Sequence, residues 1–166
     1  MSEGPLRVLF VCTGNICRSP LAEALFAHYV RQDGLGERFA ADSAGLDSWH
    51  VGEPADPRTC RIGEAYGVPV PSIARQFEPV DFERFDVILA MDHGHLRALQ
   101  SRAPAKHRHK VRLMRDFDEP ANHGRDVPDP YYGGPAGFES MYRMLAVSCR
   151  NLLDSLKNDA LENERP

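Results

Sequence analysis

The chain has 166 residues, of which 42% are hydrophobic and 27% are charged, and its formal net charge is -4 at pH 7. These values exclude a disordered or fibrous protein and predict one globular domain, residues 1–166 with a core of about 5–157. A net negative chain offers no broad positive field, so we expect no nucleic-acid partner. The N-terminal stretch MSEGPLRVLFV has no basic region and too short an apolar run for a signal peptide, which predicts a cytoplasmic protein without a membrane partner.

The chain has four cysteines, at Cys12, Cys17, Cys60 and Cys149. They lack the paired C-x-x-C spacing of a zinc site. Reduced thiols are therefore expected, with no metal and no cofactor. The basic cluster KHRHK at 106–110 is most simply interpreted as a solvated face.

The first apolar run, LRVLFVC at 6–12, is continuous in β-branched and aromatic residues. Such a run is typical of a central parallel strand that is covered on both faces. A helix follows, with Ser19 as its predicted N-cap, Pro20 in the first helical position, and Gly34 and Gly36 at its end. The segment that joins the two elements is therefore a strand-to-helix turn.

Strands and helices continue to alternate along the rest of the chain without an internal repeat. Asp56 before Pro57, and Asp92 further on, have the character of helix N-caps. Apolar patterns predict the other three strands at 38–43, 85–91 and 110–117 and a final helix at 137–156. This order predicts an α/β fold: a single domain with a four-stranded parallel sheet and helices on both faces, doubly wound and Rossmann-like.

The turn after the first strand, CTGNICRS at 12–19, has the features of an oxyanion site. A loop that leaves a parallel strand and enters a helix directs successive backbone N–H groups outward, and the helix N-terminus adds partial positive charge. The nucleotide-binding pattern G-x-x-x-x-G-K-[ST] is absent. The predicted ligand is therefore a tetrahedral oxyanion such as phosphate, sulfate or vanadate rather than a nucleotide.

The side chains of this turn suit one chemistry. Backbone amides, the helix terminus and Arg18 stabilise a negatively charged sulfur, which makes Cys12 a candidate nucleophile. The planar Arg18 fork can hold two phosphoryl oxygens, and Ser19 can donate to the sulfur as it leaves. Gly14 permits a positive φ, and Asn15 can hold the loop by hydrogen bonds. A lone cysteine would favour simple packing, but the complete set favours catalysis.

Together with DSAGLDSWHVGEPADPR, ARQF, FDVILAMD and DPYYGG, this turn resembles the low-molecular-weight protein tyrosine phosphatases over nearly the whole chain. The resemblance implies a protein-tyrosine-phosphatase in which Cys12 forms a phosphocysteine and Arg18 binds the phosphoryl group. It also implies that Asn15, Ser19 and Ser43 order a phosphate loop. The remaining members of that loop are Thr13, Gly14, Ile16 and Cys17.

The resemblance places a general acid for the departing oxygen at Asp129, in VPDPYYGG. The flanking prolines stiffen this segment, which without the family would be interpreted only as a turn with an exposed acid. As a carboxylate, the same residue would help to activate the water that hydrolyses phosphocysteine. Trp49, Tyr131 and Tyr132 are expected to wall a deep cleft, which favours phosphotyrosine and other aryl phosphates.

One position departs from the family pattern. Many members have a histidine shortly before the ARQ stretch, and it joins the network of Asn15 and Ser43. This chain has Ser72 there, in PSIARQ. Because serine reaches less far than histidine, we expect Asn15 to be less firmly held.

The resemblance implies phosphotyrosine-containing proteins as partners, with a tyrosine kinase as one candidate. The protein is separately expected to be a monomer. Cys12 and Cys17 lie on one short loop, and an open thiolate is the species that peroxide attacks. A disulfide between these two residues is therefore predicted to protect Cys12 from irreversible oxidation.

Three alternatives remain open on the sequence. Thiol-dependent arsenate reductases share this fold and loop but need two further cysteines near the middle of the chain, and RQFEPVDFERFDVILA contains none. A phosphocarrier would need neither the guanidinium of Arg18 nor a general acid. Protein arginine phosphatases of the same family have a threonine in place of Ile16 and usually lack the tyrosine present here as Tyr131, so this chain favours an aromatic substrate.

Overall fold

The computed structural model describes the backbone of residues 4–163 and the side chains of residues 4–159. Strands and helices alternate along this part of the chain. In chain order they are β1 (Leu6–Cys12), α1 (Arg18–Gln32), β2 (Phe39–Gly45), α2 (Pro57–Ala65), α3 (Asp81–Arg84), β3 (Val87–Ala90), α4 (His93–Arg102), β4 (Val111–Leu113) and α5 (Pro135–Asn163). Short 3-10 helices connect the later elements at Ala105–Lys110, Met114–Phe117 and Pro120–Asn122. The predicted limits 1–166 reach beyond the described residues at both ends.

The four strands form one sheet in the order β2-β1-β3-β4, and all neighbouring pairs are parallel. Because parallel strands end at the same edge, Cys12 lies opposite Gly45 of β2, and Val11 lies opposite Ala90 of β3. Ligands of such sheets bind beyond this carboxyl edge. The single-domain α/β fold with a four-stranded parallel sheet is confirmed.

β1 occupies the centre of the sheet, and its side chains alternate between two apolar layers. Val8 and Phe10 pack in the layer that includes residues of α1 and α5, whereas Leu9 and Val11 pack in the layer that includes residues of α3 and α4. All four side chains are fully buried. Each such burial contributes roughly 1.5–3 kcal/mol to folding. Coverage on both faces explains why the strand is continuously apolar rather than alternating.

The predicted start of the first helix is wrong, because α1 begins at Arg18 and its N-cap is Cys17. The Ser19 hydroxyl does not cap the helix, since it lies 3.0 Å from Cys12 Sγ and accepts a hydrogen bond from Asn15 Nδ2 at 2.8 Å. Pro20 is tolerated in the first turn because backbone N–H groups there have no acceptor within the helix. The hydroxyl thus serves the turn rather than the helix.

The two aspartate N-caps are confirmed. Asp56 Oδ1 accepts from the backbone N–H of Arg58 at 2.8 Å, and Asp92 Oδ1 accepts from the backbone N–H of His95 at 2.9 Å. Each satisfies a backbone donor that the first helical turn leaves free.

Other element limits differ from the sequence-based ranges 38–43, 85–91, 110–117 and 137–156. β4 ends at Leu113 because the chain turns into a 3-10 helix, in which the buried Arg115 pairs with Asp118 at 2.9 Å. α5 begins at Pro135, since proline suits the first helical position, and it continues to Asn163. Within the described part of the chain, no helix has the length and apolar character needed to cross a membrane.

Candidate active site

The turn between β1 and α1 lies at the carboxyl edge of the sheet. Cys12 is 3% exposed, and its Sγ lies 3.0 Å from the Ser19 hydroxyl. Ser19 Oγ already accepts from Asn15 Nδ2, so its own proton can be donated to the sulfur at 3.0 Å, with the Ala44 carbonyl oxygen as a more distant acceptor at 3.5 Å. A negative charge on Cys12 would therefore meet a hydrogen-bond donor behind it.

Asn15 holds the turn in a conformation that few side chains adopt. Its φ is 57°, in the left-handed region where asparagine is tolerated better than most residues. The expectation of a positive φ at Gly14 is therefore wrong, because the turn takes this conformation one residue later. The buried side-chain amide donates to Ser19 at 2.8 Å and to Ser43 at 2.9 Å, and its oxygen accepts from the backbone N–H of Arg75 at 3.0 Å. These three bonds fix the loop to α1, β2 and the segment that precedes α3.

Ser72 takes no part in the hydrogen bonds of Asn15. Ser43, which accepts from Asn15, instead donates to Glu23 Oε1 at 2.6 Å. Burial raises the pKa of Glu23, and the bond from Ser43 opposes that change. Asn15 is therefore held by the Ser43 hydroxyl, which Glu23 fixes in turn, and by the backbone amide of Arg75, without a contribution from residue 72.

Gly45 permits the loop to lie against the end of β2. A Cβ at this position would lie 2.8 Å from the Thr13 carbonyl oxygen and 3.0 Å from the Asn15 nitrogen. Both neighbours are backbone atoms, so the contact could not be relieved by a side-chain movement. Gly45 was not among the predicted site residues, and it lies two residues beyond the strand predicted at 38–43.

The Arg18 guanidinium is 3% exposed and is fixed from two directions. Its Nη1 donates to Asp92 Oδ2 and to the Val127 carbonyl oxygen, both at 2.9 Å. Its Nη2 lies 3.4 Å from Thr13 Oγ1 and 3.8 Å from Asp129 Oδ2. One nitrogen is thus held by the protein, while the other faces the residues of the cleft.

A histidine that sequence analysis did not single out supports the turn from α4. His95 is 5% exposed, its Nε2 is hydrogen-bonded to Thr13 Oγ1 at 2.8 Å, and its Nδ1 lies 3.2 Å from Asp92 Oδ1. Burial, and secondarily the positive charge of Arg18, lowers the pKa of His95 to about 4. If Nε2 of the neutral ring accepts from Thr13, the proton sits on Nδ1, which is on the side of Asp92 but forms no hydrogen bond with the described residues.

This histidine predicts a loss of stability in mild acid. A buried histidine with a pKa near 4 binds its proton less readily than the unfolded chain, whose histidine pKa is about 6.5. The free energy of unfolding is then unaffected above pH 6.5 and falls between pH 6.5 and 4, by roughly 3 kcal/mol over the whole window. Urea denaturation at several pH values should give a shallower fall for His95→Gln than for the wild type. The matched control is His109→Gln, at an exposed position, and equal falls in all three proteins would contradict the assignment.

Asp129 stands above the turn with its side chain 47% exposed. Its Oδ1 accepts from the backbone N–H of Tyr131 at 3.0 Å, and its Oδ2 faces Arg18 Nη2. These residues border a cleft of about 330 Å³, lined by Cys12, Thr13, Gly14, Ile16, Cys17, Arg18, Asp47, Trp49, His50, Asp129, Tyr131 and Tyr132. The residues predicted for the cleft thus share one cavity, and Asp47 and His50 are additions to it.

The aromatic residues form the rim of this cleft rather than its floor. Trp49 is 85% exposed and Tyr132 is 94% exposed, whereas Tyr131 is 37% exposed. The rings of Tyr131 and Tyr132 meet edge to face, with centroids 4.9 Å apart. Three predicted loop-ordering residues, Asn15, Ser19 and Ser43, are buried and do not line the cleft.

The four cysteines are free thiols. Cys17 lines the cleft but is only 5% exposed, and burial, followed by the negative charge of Asp56, raises its pKa to about 12. Among the described residues, no three His, Cys, Asp or Glu side chains are grouped as a metal ion would require.

The sequence matches one protein family over most of its length. A family model described as low molecular weight phosphotyrosine protein phosphatase matches residues 7–162. The chain belongs to this family. A low molecular weight protein-tyrosine-phosphatase of Streptomyces coelicolor is 49% identical over 153 residues, which cover 91% of this chain and 93% of that protein. The predicted family and the predicted class of enzyme are confirmed.

Solved structures of phosphatases share the fold. A protein tyrosine phosphatase from Entamoeba histolytica with Hepes in its active site has a TM-score of 0.89 and 40% identity, covering 93% of this chain and 99% of its own. The Bacillus subtilis arginine phosphatase YwlE, with a phosphorylated active-site serine, has a TM-score of 0.82 and 30% identity, covering 93% of this chain and 97% of its own. The family fold therefore accommodates both tyrosine and arginine phosphatases.

Proposed function

We propose that the protein hydrolyses phosphotyrosine in proteins through a phosphocysteine on Cys12, with Arg18 binding the phosphoryl group and Asp129 as general acid and base. The observation that carries this proposal is the arrangement of these three groups. Cys12 Sγ lies against Ser19 in the cleft, and the buried Arg18 directs Nη2 toward Asp129 Oδ2 at 3.8 Å.

In the first step, the Cys12 thiolate attacks phosphorus and the ester oxygen leaves with a proton from Asp129. The phosphoryl oxygens lie against the backbone N–H groups of the turn and Arg18, which is held by Asp92 and Val127. Donors that are fixed before the reaction stabilise the charge of the transition state without reorganisation, and the loss of one such donor typically costs 10²- to 10³-fold in rate. The products of this step are phosphocysteine and the free phenol.

In the second step, the Asp129 carboxylate accepts a proton from water as the water oxygen attacks phosphorus. The bond between phosphorus and Cys12 Sγ breaks, and the sulfur retains the electron pair. The Ser19 hydroxyl, 3.0 Å from this sulfur, donates to the departing thiolate. Inorganic phosphate is released, and Asp129 has regained the proton needed for the next cycle.

The walls of the cleft support an aryl substrate. The exposed rings of Trp49 and Tyr132 and the partly exposed Tyr131 can pack beside a phenyl ring, while Ile16 adds an apolar side chain near the phosphate loop. A phosphoguanidinium group would leave N–H donors without a partner at Ile16, and an unpaired polar group costs binding energy. The same apolar position argues against an arginine phosphatase.

A substrate comparison tests this preference. We expect kcat/KM for a phosphotyrosine peptide to exceed that for the matched phosphoarginine peptide by at least about tenfold, which corresponds to roughly 1.4 kcal/mol. Phosphoserine, which is too short to reach the loop from the rim, should be hydrolysed more slowly still. Equal rates on the tyrosine and arginine peptides would refute the substrate assignment, and thiol-dependent arsenate reduction should be absent in the same assays.

The positions of the other cysteines argue against an arsenate reductase. Cys60 lies on α2 and Cys149 on α5, where Cys149 is fully buried and donates to the Ala22 carbonyl oxygen. Burial raises the pKa of the Cys149 thiol, so it is poorly suited to carry electrons from the cleft. A phosphocarrier would have no use for the general acid Asp129.

The proposed redox protection is tested by Cys17→Ala. Peroxide converts the Cys12 thiolate to a sulfenic acid. The Cys17 thiolate then attacks the Cys12 sulfur to form a disulfide, the S–O bond breaks, and the hydroxide that leaves takes up a proton from solvent to give water. Because the pKa of Cys17 is about 12, little thiolate is present at neutral pH and closure should be slow. Cys17→Ala should be active but recover less activity with dithiothreitol after peroxide treatment. Recovery equal to that of the wild type would show that Cys17 is only a packed thiol.

The wider assignments follow from the same proposal. The domain is proposed to comprise residues 1–166 with its core at about 5–157, to act in the cytoplasm as a monomer without a cofactor, and to have phosphotyrosine proteins, including a tyrosine kinase, as partners. Phosphate, sulfate and vanadate are proposed as ligands of the turn. Hepes, a sulfonate, in the active site of the Entamoeba histolytica relative supports oxyanion binding.

A further inference from the structure

A second pocket, of about 300 Å³, lies next to the catalytic cleft. Helix α2 supplies Arg58, Arg61 and Ile62 to it, and residues 133–135 and Phe138 at the start of α5 form the other side. Nothing in the proposed mechanism uses this pocket.

The pocket and the cleft lie on either side of one short segment. Tyr131 lines the cleft, and Gly133, two residues later, lines the second pocket. Arg58 joins the two sides: its Nη1 donates to the Tyr131 carbonyl oxygen at 2.9 Å, and its guanidinium lies 5.2 Å from the Tyr131 ring and 4.6 Å from the Phe138 ring. The Cα atoms of Tyr131 and Gly133 are at most about 7 Å apart, which is the length of two extended residues. A peptide held in the cleft therefore needs only about two to four extended residues to reach the pocket.

The pocket has an uncompensated positive charge. Arg58 makes a two-pronged ion pair with Asp56, through Nε at 3.0 Å and Nη2 at 2.9 Å, which neutralises that carboxylate. Arg61, one turn later, is exposed, and in the described part of the chain it forms no hydrogen bond or ion pair. Glu139, beside Phe138, is paired with Arg143 at 3.0 Å. Arg61 is near enough to Asp56 to help lower the pKa of that carboxyl, so this one carboxylate faces two guanidinium groups. The pocket therefore keeps a net positive charge, and the Arg61 guanidinium has no bonded partner of its own among the described residues.

The remaining walls are apolar. Ile62 is half-buried, Phe138 is 3% exposed, and Pro135 begins α5 beside them. A cation beside such walls suits a short side chain with a carboxylate at its tip and methylene groups behind it. The net charge of the whole chain is -4, so any preference for an acidic peptide must come from this local charge.

We propose that this pocket is a subsite for an acidic side chain of the phosphotyrosine substrate, placed two to four residues along the peptide from the phosphotyrosine. Its carboxylate pairs with Arg61, and its methylene groups pack on Ile62 and Pro135. This proposal rests on the proposed function, because the phosphate in the cleft anchors the peptide. A basic side chain at the same place is repelled by Arg61.

A set of phosphotyrosine peptides tests the subsite. Each peptide has a central phosphotyrosine, alanine flanks and one glutamate. Across the set, the glutamate occupies each position from four residues before the phosphotyrosine to four residues after it. Every peptide has a control with glutamine at the same position. For the wild type, we expect kcat/KM to rise about three- to fivefold for glutamate over glutamine at one or more positions two to four residues away, as for a partly exposed ion pair. Arg61→Ala should abolish that rise, and Arg61→Glu should favour lysine there instead.

A matched control separates a local contact from general charge. Arg102→Glu changes the net charge by the same amount as Arg61→Glu. Arg102 is an exposed residue at the end of α4 and does not line the pocket, so this variant should retain the wild-type preference. Hydrolysis of p-nitrophenyl phosphate, which has no flanking residues, should be the same in all four proteins. Equal rates on glutamate and glutamine peptides, an unchanged preference in Arg61→Ala, or its loss in Arg102→Glu would each overturn the subsite. Failure of the wild type to hydrolyse any phosphotyrosine peptide would instead overturn the proposed function.

Discussion

Replacement of Cys12 by serine is expected to abolish turnover while leaving the affinity for oxyanions largely intact. A serine hydroxyl is a much weaker nucleophile than a thiolate, so the first step of the proposed mechanism should fail. The backbone amides of the turn and Arg18, which is held by Asp92 and Val127, are unchanged by the substitution. Loss of a nucleophile from an enzyme of this kind costs on the order of 10³-fold or more in kcat.

Two measurements separate chemistry from binding in this variant. Hydrolysis of p-nitrophenyl phosphate reports turnover, and calorimetric titration with phosphate or vanadate reports the integrity of the turn. Cys60→Ser is the matched control, since Cys60 lies on α2 outside the cleft and should keep wild-type activity. Turnover by Cys12→Ser above a tenth of the wild-type rate would exclude the covalent mechanism. Loss of both turnover and oxyanion binding would contradict the expectation that the turn survives.

The fold was predictable because its signals are local. The β1 run is apolar on both faces since each face is covered by helices, and Asp56 and Asp92 mark helix starts through bonds to residues two and three positions later. The candidate phosphate loop could be proposed from the sequence for the same reason, because Cys12 and Arg18 lie within one short segment. Asp129 lies far along the chain, and only the family resemblance assigned it a role.

The residues that sequence analysis missed act over long separations. Asp92 was predicted only as a helix cap, but its second oxygen fixes Arg18, 74 residues earlier in the chain. His95 reaches Thr13 across 82 residues, and no local pattern distinguishes it from an ordinary helical histidine. The predicted end of β4 was wrong for a similar reason. Arg115 is buried and donates to Asp118 and to the Asp126 carbonyl oxygen, and these tertiary contacts end the strand. Contacts between distant segments set these details, and hydrophobic periodicity does not encode them.

Replacement of Asp129 by asparagine is expected to slow phosphorylation of the enzyme, with a severity that depends on the leaving group. Asparagine keeps the size of the side chain and an oxygen that can accept from the Tyr131 backbone N–H, but it has no proton to give. A general acid matters most when the departing oxygen is strongly basic. Phenoxide, like the tyrosine side chain with its pKa of about 10, needs that proton, whereas p-nitrophenoxide is a far more stable leaving group.

Burst rates of the first turnover are the appropriate measurement. In the proposed mechanism, hydrolysis of phosphocysteine also uses Asp129, which would mask the difference in kcat. We expect Asp129→Asn to lower the burst rate by roughly 10²- to 10⁴-fold for phenyl phosphate and by distinctly less for p-nitrophenyl phosphate. Asp126→Asn is the matched control, since Asp126 binds His93 at 2.6 Å and does not line the cleft. Equal losses for the two esters would mean that Asp129 only holds the loop together through Tyr131. A leaving-group dependence that appeared in Asp126→Asn instead would transfer the role of acid to that residue.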